Sequence, residues 1–511
     1  MKQIKNFSLK LFIFLAVYTA AIIVPYWVGS ISGGESHVFG GFLLNPLDGN
    51  SYLAKMQQGF EGNWRFKLPF TSQPGEGAYL FLFYLFLGHF SRWMGLSLVW
   101  TFHFWRVMSS IFLLFTLRKF FESIFPEDEE STWRAFVLAS IGSGLGWIVF
   151  LFGEMTADFW VAEAYPFLSS YANPHFPLGL GLMLWILILS VDGRGGQWLT
   201  GLLALILGIV LPFGVVVACM VLGGLLAFDL LTHQKVNVLP LVWVTVFGGA
   251  MIAYQVAVTR LDTVFYNWNL QNLTPAPAWW DLLVSFLPAL LAALAGILAV
   301  VKGMPRSKKS LLVIWLAGAI VLLCLPVNLQ RRFMLGLYIP VAGLAVEGCR
   351  WISNKWRMSS GFLYKGLLVL SIPTNVVLLL AGVFGAITHN PAVYLTRSEL
   401  QAMEWLAQQP GECLVVSSPQ TGMYLPGHSG CQVMYGHPFE TVNALEEEER
   451  VESFFGGQMT ENEARQYLTE NRIGYVFFGA REAGMGQPEV LRLLPPVYSK
   501  DETTIFAVEL E

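Results

Sequence analysis

Acidic, basic and imidazole side chains gather in two stretches of this chain that are flanked by apolar runs. Residues 31–76 set Asp48 among Lys55, Arg65 and Lys67, and residues 153–175 hold Glu154, Asp158, Glu163 and His175 without a Lys or Arg. A carboxylate so placed can take a proton from an incoming hydroxyl, and fixed cations can hold a phosphate. Asp48 is the sharpest case, in Asn45-Pro46-Leu47-Asp48-Gly49-Asn50-Ser51-Tyr52. It has a plainer use as well, because Asp-Gly is a turn pair and Asp caps helices. In the second stretch, Asp158 and Glu163 are a reserve acid pair, or oxygen ligands for a divalent metal if they converge. Their spacing matches no metal motif, and solvated loop charge is the plainer reading for Glu154. His175, in Tyr171-Ala172-Asn173-Pro174-His175-Phe176, suits a phosphate oxygen or a proton, or equally a bond to its own backbone.

The elements that carry these residues follow from composition. Of 511 residues, 55% are hydrophobic and 13% charged, where a soluble domain carries about 25% charge. Apolar runs of transmembrane length recur at 9–28, 98–117, 134–152, 176–191, 197–211, 213–231, 238–258, 281–301, 310–326, 333–349 and 366–387. This pattern predicts an α-helical polytopic membrane protein with about eleven transmembrane helices. The first run follows the basic start Met1–Lys5 and precedes no small-residue cleavage site, so it reads as a retained anchor. Lys302, Arg306, Lys308 and Lys309 share one connector, Arg350, Lys355, Arg357 and Lys365 another, and Arg118, Lys119 and Arg134 flank a third. The positive-inside rule places all three with the N-terminus in the cytoplasm. Residues 31–97, 153–175, 259–280, 327–332 and the tail then lie outside.

Ala78–Phe90 is too short to span and reads as a helix lying on the outer leaflet. Asp48–Phe60, with Tyr52, Met56 and Phe60 at helical spacing, is a second in-plane helix. The tail changes character. Arg397–Gln408 reads as a helix, Cys413–Ser417 as a buried strand, and Thr460–Asn471 as a helix opened by Thr460 and Glu463 in a capping pattern. Tyr475–Phe478 and Thr504–Val508 supply further strands, so residues 388–511 are expected to form a small α/β domain beside a membrane domain of 1–387, whose first outer loop is 29–97. The tail holds 7 Lys+Arg against 18 Asp+Glu, and the rest of the chain 24 against 17; an acidic tail on a basic membrane portion argues against nucleic acid. Cys413 and Cys431 both lie in the tail, where export would allow a disulfide. Cys219, Cys324 and Cys349 read as packing residues.

Cations recur toward the outer side. Arg331 and Arg332 open the tenth span there, against the usual charge preference, and so need a fixed partner. His103 and Arg106 sit inside the second span, where an ionisable residue is a functional candidate. Their forks suit phosphate oxygens; a salt bridge to an outer-loop carboxylate is the alternative. In the tail, His428 of Gly427-His428-Ser429-Gly430, and His437 and Glu440 of Tyr435-Gly436-His437-Pro438-Phe439-Glu440-Thr441, either border an acceptor entrance or hold the tail in place.

The order of parts resembles the GT-C glycosyltransferases: one span, an outer loop with an early Asp and in-plane helices, a helical bundle, outer arginines and an exported C-terminal domain. These are polytopic enzymes that move a sugar from a polyprenyl-phosphate carrier to a glycan, lipid or protein acceptor on the outer face of a plasma or bacterial inner membrane. The resemblance implies Asp48 as catalytic base, with Arg106 matching an arginine at the outer end of the second span and Arg331 and Arg332 matching the residues that hold the lipid phosphate; His103 and His175 are assigned to the same phosphate from their setting, and no cofactor is expected, a divalent metal being the alternative. It covers residues 1–387 in architecture. Asp48-Gly49 stands where mannosyltransferases have an Asp-Glu pair, and no WWDYG-type motif of oligosaccharyltransferases is present. A lipid-linked substrate transporter and a non-catalytic scaffold are the rival classes; no inverted repeat favours the first, and buried charge without a task disfavours the second. In a background lacking Cys219, Cys324 and Cys349, single cysteines at Lys355 and Glu404 are expected to react with an impermeant thiol reagent from opposite sides. Labelling of both from one side would reverse the assigned faces.

Overall fold

The computed structural model describes residues 2–193, 197–303 and 308–508; Arg306, used above for orientation, lies outside them. All eleven apolar runs are helical. Among the described residues eight helices are long and apolar enough to cross a membrane: Leu9–Ser32, Leu98–Ile124, Glu129–Phe150, His175–Asp192, Pro212–Leu231, Leu239–Leu261, Gln330–Trp356 and Ser360–Ile387. The pair Trp279–Phe286 and Ala289–Gly303, bent by 83°, is apolar enough to be a broken span or a re-entrant loop. Its break falls at Pro288, which lacks a backbone donor. Trp198–Val210 and Ser310–Leu323 are apolar helices of under 18 residues. The run 198–231 divides at Leu211, with Pro212 at the first helical position, where a missing N–H costs nothing. The protein is thus an α-helical multi-pass membrane protein with a small α/β domain near its C-terminus.

The chain forms two compact units. One holds Met1–Val24, His103–Tyr254 and Thr274–Ala381, and the other Pro25–Phe102, Gln255–Leu273 and Gly382–Glu511. The boundary expected after residue 387 falls near the last of these limits. The second unit also takes in the first outer loop and residues 255–273, where a helix, Thr263–Gln271, replaces the expected loop.

In the second unit, β1 (His37–Phe39) and β2 (Tyr394–Thr396) form an antiparallel pair that registers His37 on Thr396. The tail sheet contains β3 (Leu414–Val416), β4 (Gln432–Val433), β5 (Tyr475–Phe478), β6 (Pro496–Lys500) and β7 (Thr503–Ala507), in the order β4-β3-β5-β7-β6. β3 is parallel to both neighbours, while β7 is antiparallel to β5 and β6. Strand alternation sorts the side chains onto two faces. Leu414 and Val416 enter a core with Val451, Phe454 and Leu468; Val415 enters the opposite one with Met403, Leu406 and Tyr424. Helices therefore cover both faces of the sheet. The capping pattern at Thr460 forms as read, with Glu463 opening Glu461–Glu470, and the structure adds a second capping box in which Thr396 and Glu399 open Arg397–Leu406. Cys413 and Cys431 are joined in a disulfide.

Both segments expected to lie in the membrane plane are helices, Pro46–Phe60 and Leu82–Met94, packed along each other. Glycines let their backbones meet. A Cβ on Gly59 would collide with the carbonyl of Leu85, and one on Gly88 with that of Met56. Gly88→Leu is therefore expected to destabilise the protein by about 1–3 kcal/mol through overpacking. Thermal unfolding of the purified variant checks this, and an unchanged midpoint would mean that the helices do not rely on this contact.

Candidate active site

The helix Pro46–Phe60 starts at Asn45, whose left-handed φ of 47° turns the chain into it. The Asn45 side-chain Oδ1 accepts from the Asp48 backbone amide at 3.4 Å, and its Nδ2 donates to Asp48 Oδ2 at 2.5 Å. Asn45 is thus the cap, and Asp48 stands in the first turn, where the helix dipole favours a negative charge. Asp48, Ser51 and Lys55 share one face, at spacings of three and four residues.

The tail loop that carries His437 and Glu440 meets this face. His437 Nε2 lies 3.2 Å from Asp48 Oδ1, and the Phe439 amide donates to His437 Nδ1 at 3.1 Å. Because Nδ1 accepts a backbone proton, the neutral ring carries its own proton on Nε2 and donates it to Asp48. His437 is 2% exposed and Asp48 is 43% exposed. A buried imidazole therefore orients a carboxylate that stays accessible. The loop is held by the Thr441 hydroxyl, which accepts from the His437 amide at 3.2 Å, and by the Thr441 amide, which donates to the His437 carbonyl at 2.9 Å.

One turn further along the helix, Lys55 Nζ donates to Glu440 Oε1 and Oε2 at 2.8 and 2.9 Å and to Ser51 Oγ at 2.5 Å. Ser51 donates in turn to Glu440 Oε1 at 2.7 Å. Lys55 is fully buried, its ammonium 4.5 Å from the Phe81 ring centroid and 5.5 Å from that of Tyr52. Burial pushes the Glu440 carboxyl up, but Lys55, His437 and Ser51 outweigh it and hold it below the usual range. Tyr52 stacks on Tyr84 at 4.4 Å, and burial, then Tyr52 and Asp48, hold the Tyr84 phenol protonated.

Of the tail residues, His437 and Glu440 join Asp48, but His428 does not enter this network. It sits in the short helix Leu425–Ser429, and its Nε2 is buried without a hydrogen-bond partner among the described residues. Burial pushes it down to about 4. Asn45, Ser51 and Lys55 were visible as residues near Asp48; their spacing along one helical face was the signal that tied them to it.

The first unit holds the remaining candidates. Glu163, 3% exposed, lies 3.4 Å from Arg331 Nε and 3.2 Å from Arg332 Nη1. The outer-loop carboxylate expected as the arginines' alternative partner is therefore Glu163, and the three side chains together carry one net positive charge. Arg331 stacks over Trp160 and Arg332 over Phe213. Arg106 donates to the carbonyls of Ile22, Ser170 and Tyr171 and to His103 Nδ1. These bonds tie the helix Leu98–Ile124 to the carbonyls of Ile22, Ser170 and Tyr171, with His103 orienting the guanidinium. His175 begins its helix buried, its ring 4.2 Å from that of Phe176.

Asp158 is also structural. It accepts from Thr156 and Thr374 hydroxyls at 2.6 and 2.9 Å and from the amides of Gly144 and Gly146 at 3.1 and 3.2 Å. A carboxylate so enclosed braces the break between Glu129–Ile141 and Gly146–Phe150. No group of three or more His, Cys, Asp or Glu side chains among the described residues is arranged to hold a metal.

No protein-family model matches the sequence, and no curated protein does. Solved structures do match the fold. The oligosaccharyltransferase of Archaeoglobus fulgidus, tethered to an acceptor peptide containing the NVT sequon, aligns at a TM-score of 0.56 with 12% identity, over 98% of this chain and 74% of that one. The same enzyme, AglB, in complex with an inhibitory peptide and a dolichol-phosphate aligns at 0.52 with 13% identity, over 93% and 69%. Its complex with Zn and sulfate aligns at 0.54 with 12% identity, over 91% and 67%. The chain accordingly has the fold of the GT-C glycosyltransferases.

Lys55→Met leaves Glu440 as an uncompensated buried charge and is expected to destabilise the protein by about 3–5 kcal/mol. Lys55→Met combined with Glu440→Leu is expected to recover most of that loss, as read by chemical or thermal unfolding. Because the folded Glu440 is depressed, its contribution is fully present above its ordinary 4.5 and is lost as pH falls through the lower folded value. A Lys55→Met protein as stable as wild type would remove the pair from any structural role.

Proposed function

We propose that this protein is a multi-pass membrane glycosyltransferase that moves a sugar from a polyprenyl-phosphate carrier to an acceptor hydroxyl. The observation that carries the reading is the Asp48 carboxylate, accessible and hydrogen-bonded by Asn45 Nδ2 and the Nε2–H of His437. Hydrogen bonds of this kind orient a base without protonating it. Asp48 takes the proton of the acceptor hydroxyl as its oxygen bonds to the anomeric carbon, and the bond from that carbon to the carrier phosphate breaks. The leaving phosphate needs fixed positive charge, and the Arg331–Glu163–Arg332 cluster, with its net charge of plus one, is assigned that role. The dolichol-phosphate in the archaeal enzyme's complex supports a lipid-phosphate donor here. No step is assigned to a metal.

The N-terminus and the basic connectors are assigned to the cytoplasm and the tail to the outside of a plasma or bacterial inner membrane. The Cys413–Cys431 disulfide supports an oxidising compartment for the tail. The acceptor is a glycan, lipid or protein, and membrane lipids are the protein's surroundings.

Asp48→Asn, which keeps size and hydrogen-bonding reach, is expected to lower turnover about 10²–10⁴-fold while carrier binding persists. Arg331→Ala and Arg332→Ala are expected to weaken binding of a polyprenyl phosphate about 10- to 100-fold, with Lys restoring only part because it lacks the planar fork. Transfer assays and carrier binding on the same preparations check both. An Asp48→Asn protein turning over within a few-fold of wild type would sink the mechanism, and carrier binding without any transfer by wild type would favour a transporter.

A further inference from the structure

A cleft of about 270 Å³ opens in the second unit just beyond the loop that carries His437 and Glu440. Asn443, two residues past Thr441, lines one wall, and Thr71 lines another beside Phe70, whose ring lies 5.9 Å from that of His437. This volume is just below the roughly 300–1,000 Å³ of small-molecule sites, which suits a compact ligand better than an extended chain.

The wall chemistry narrows the ligand further. Gln73, Asn267, Asn443 and Asn471 supply four carboxamides, each both donor and acceptor. Glu447 accepts from Arg450 through Oε1 at 2.9 Å, but its Oε2 is buried with no hydrogen-bond partner among the described residues. A buried carboxylate oxygen calls for a donor. An anion is disfavoured, because Arg450, which also bonds Glu446, is outnumbered by these two carboxylates. An apolar ligand would strip water from four amides and return no hydrogen bonds. Sugar hydroxyls, each a donor and an acceptor on a small rigid ring, satisfy every one of these groups.

We infer that this cleft binds a neutral sugar unit of the acceptor, which makes the acceptor a glycan. The inference rests on the glycosyltransferase reading above. Glu447 Oε2 takes a hydroxyl proton, and the carboxamides of Asn267 and Gln73 hold neighbouring hydroxyls.

The test uses the full-length protein in lipid nanodiscs, with maltotriose and chitotriose as saccharide probes and a hexapeptide containing Asn-Val-Thr as competitor. Saturation-transfer NMR is expected to show saccharide binding that the peptide does not displace. Glu447→Ala and Asn267→Ala, each with wild-type melting behaviour, are expected to weaken it about tenfold or more. Peptide binding in place of saccharide, or full saccharide binding by both cleft variants, overturns the assignment. In transfer assays, cleft variants with a wild-type KM for acceptor sink the cleft and leave the reaction standing. Saccharide binding that depends on Glu447, with no transfer from a polyprenyl-phosphate donor by wild type, supports the cleft and sinks the reaction.

Discussion

Lys55 carries a full charge in a place that water does not reach, and that single circumstance organises the second unit. An ammonium among the rings of Tyr52, Phe66 and Phe81 gains from their faces, but the aromatic faces do not replace a carboxylate. Glu440 has to arrive, and with it comes the loop that holds His437 over Asp48. The pairing joins residues 385 apart in sequence. A buried ion pair is weak evidence for stability, since well-packed apolar residues often do as well. Its use here is register: with Lys55 and Glu440 matched, the helix face and the loop meet in one alignment, and the imidazole meets the carboxylate seven residues back along the helix.

The acids of this chain differ in what surrounds them, and those surroundings divide reaction from architecture. Asp48 is accessible and hydrogen-bonded by Asn45 and His437, so its charge is available. Glu440 is paired with an ammonium, and Glu163 with two guanidiniums. Asp158 is enclosed by hydroxyls and amides that satisfy it completely, as a buried carboxylate must be. Arg106 follows the same logic with the sign reversed: a guanidinium inside a helical bundle bonds to main-chain carbonyls, because those are the acceptors within reach.

Much of the fold was legible in the chain. Hydropathy is a local property, and runs of apolar residues marked every membrane helix. Capping at Thr460 and the strands at 414–416, 475–478 and 503–507 could also be read, since each depends on neighbours a few positions away. β4, only two residues long, and β6, mostly exposed, carry too little period-two signal to be seen. The break at residues 142–145 was not legible either, because the acid that braces it follows more than ten residues later.

By itself the sequence determined that this is a multi-pass helical protein with a mixed tail, and it singled out Asp48, His437 and Glu440 by residue type and setting. Only the tertiary structure decided that these three share one network, that Arg331 and Arg332 grip Glu163, and that Asp158 and Arg106 serve the scaffold. Helices and caps arise from interactions over a few residues, so sequence spacing reports them. Whether a charge is used or neutralised depends on which distant side chain is packed against it, as with Asp48 and a histidine 389 residues away. No local pattern records that choice.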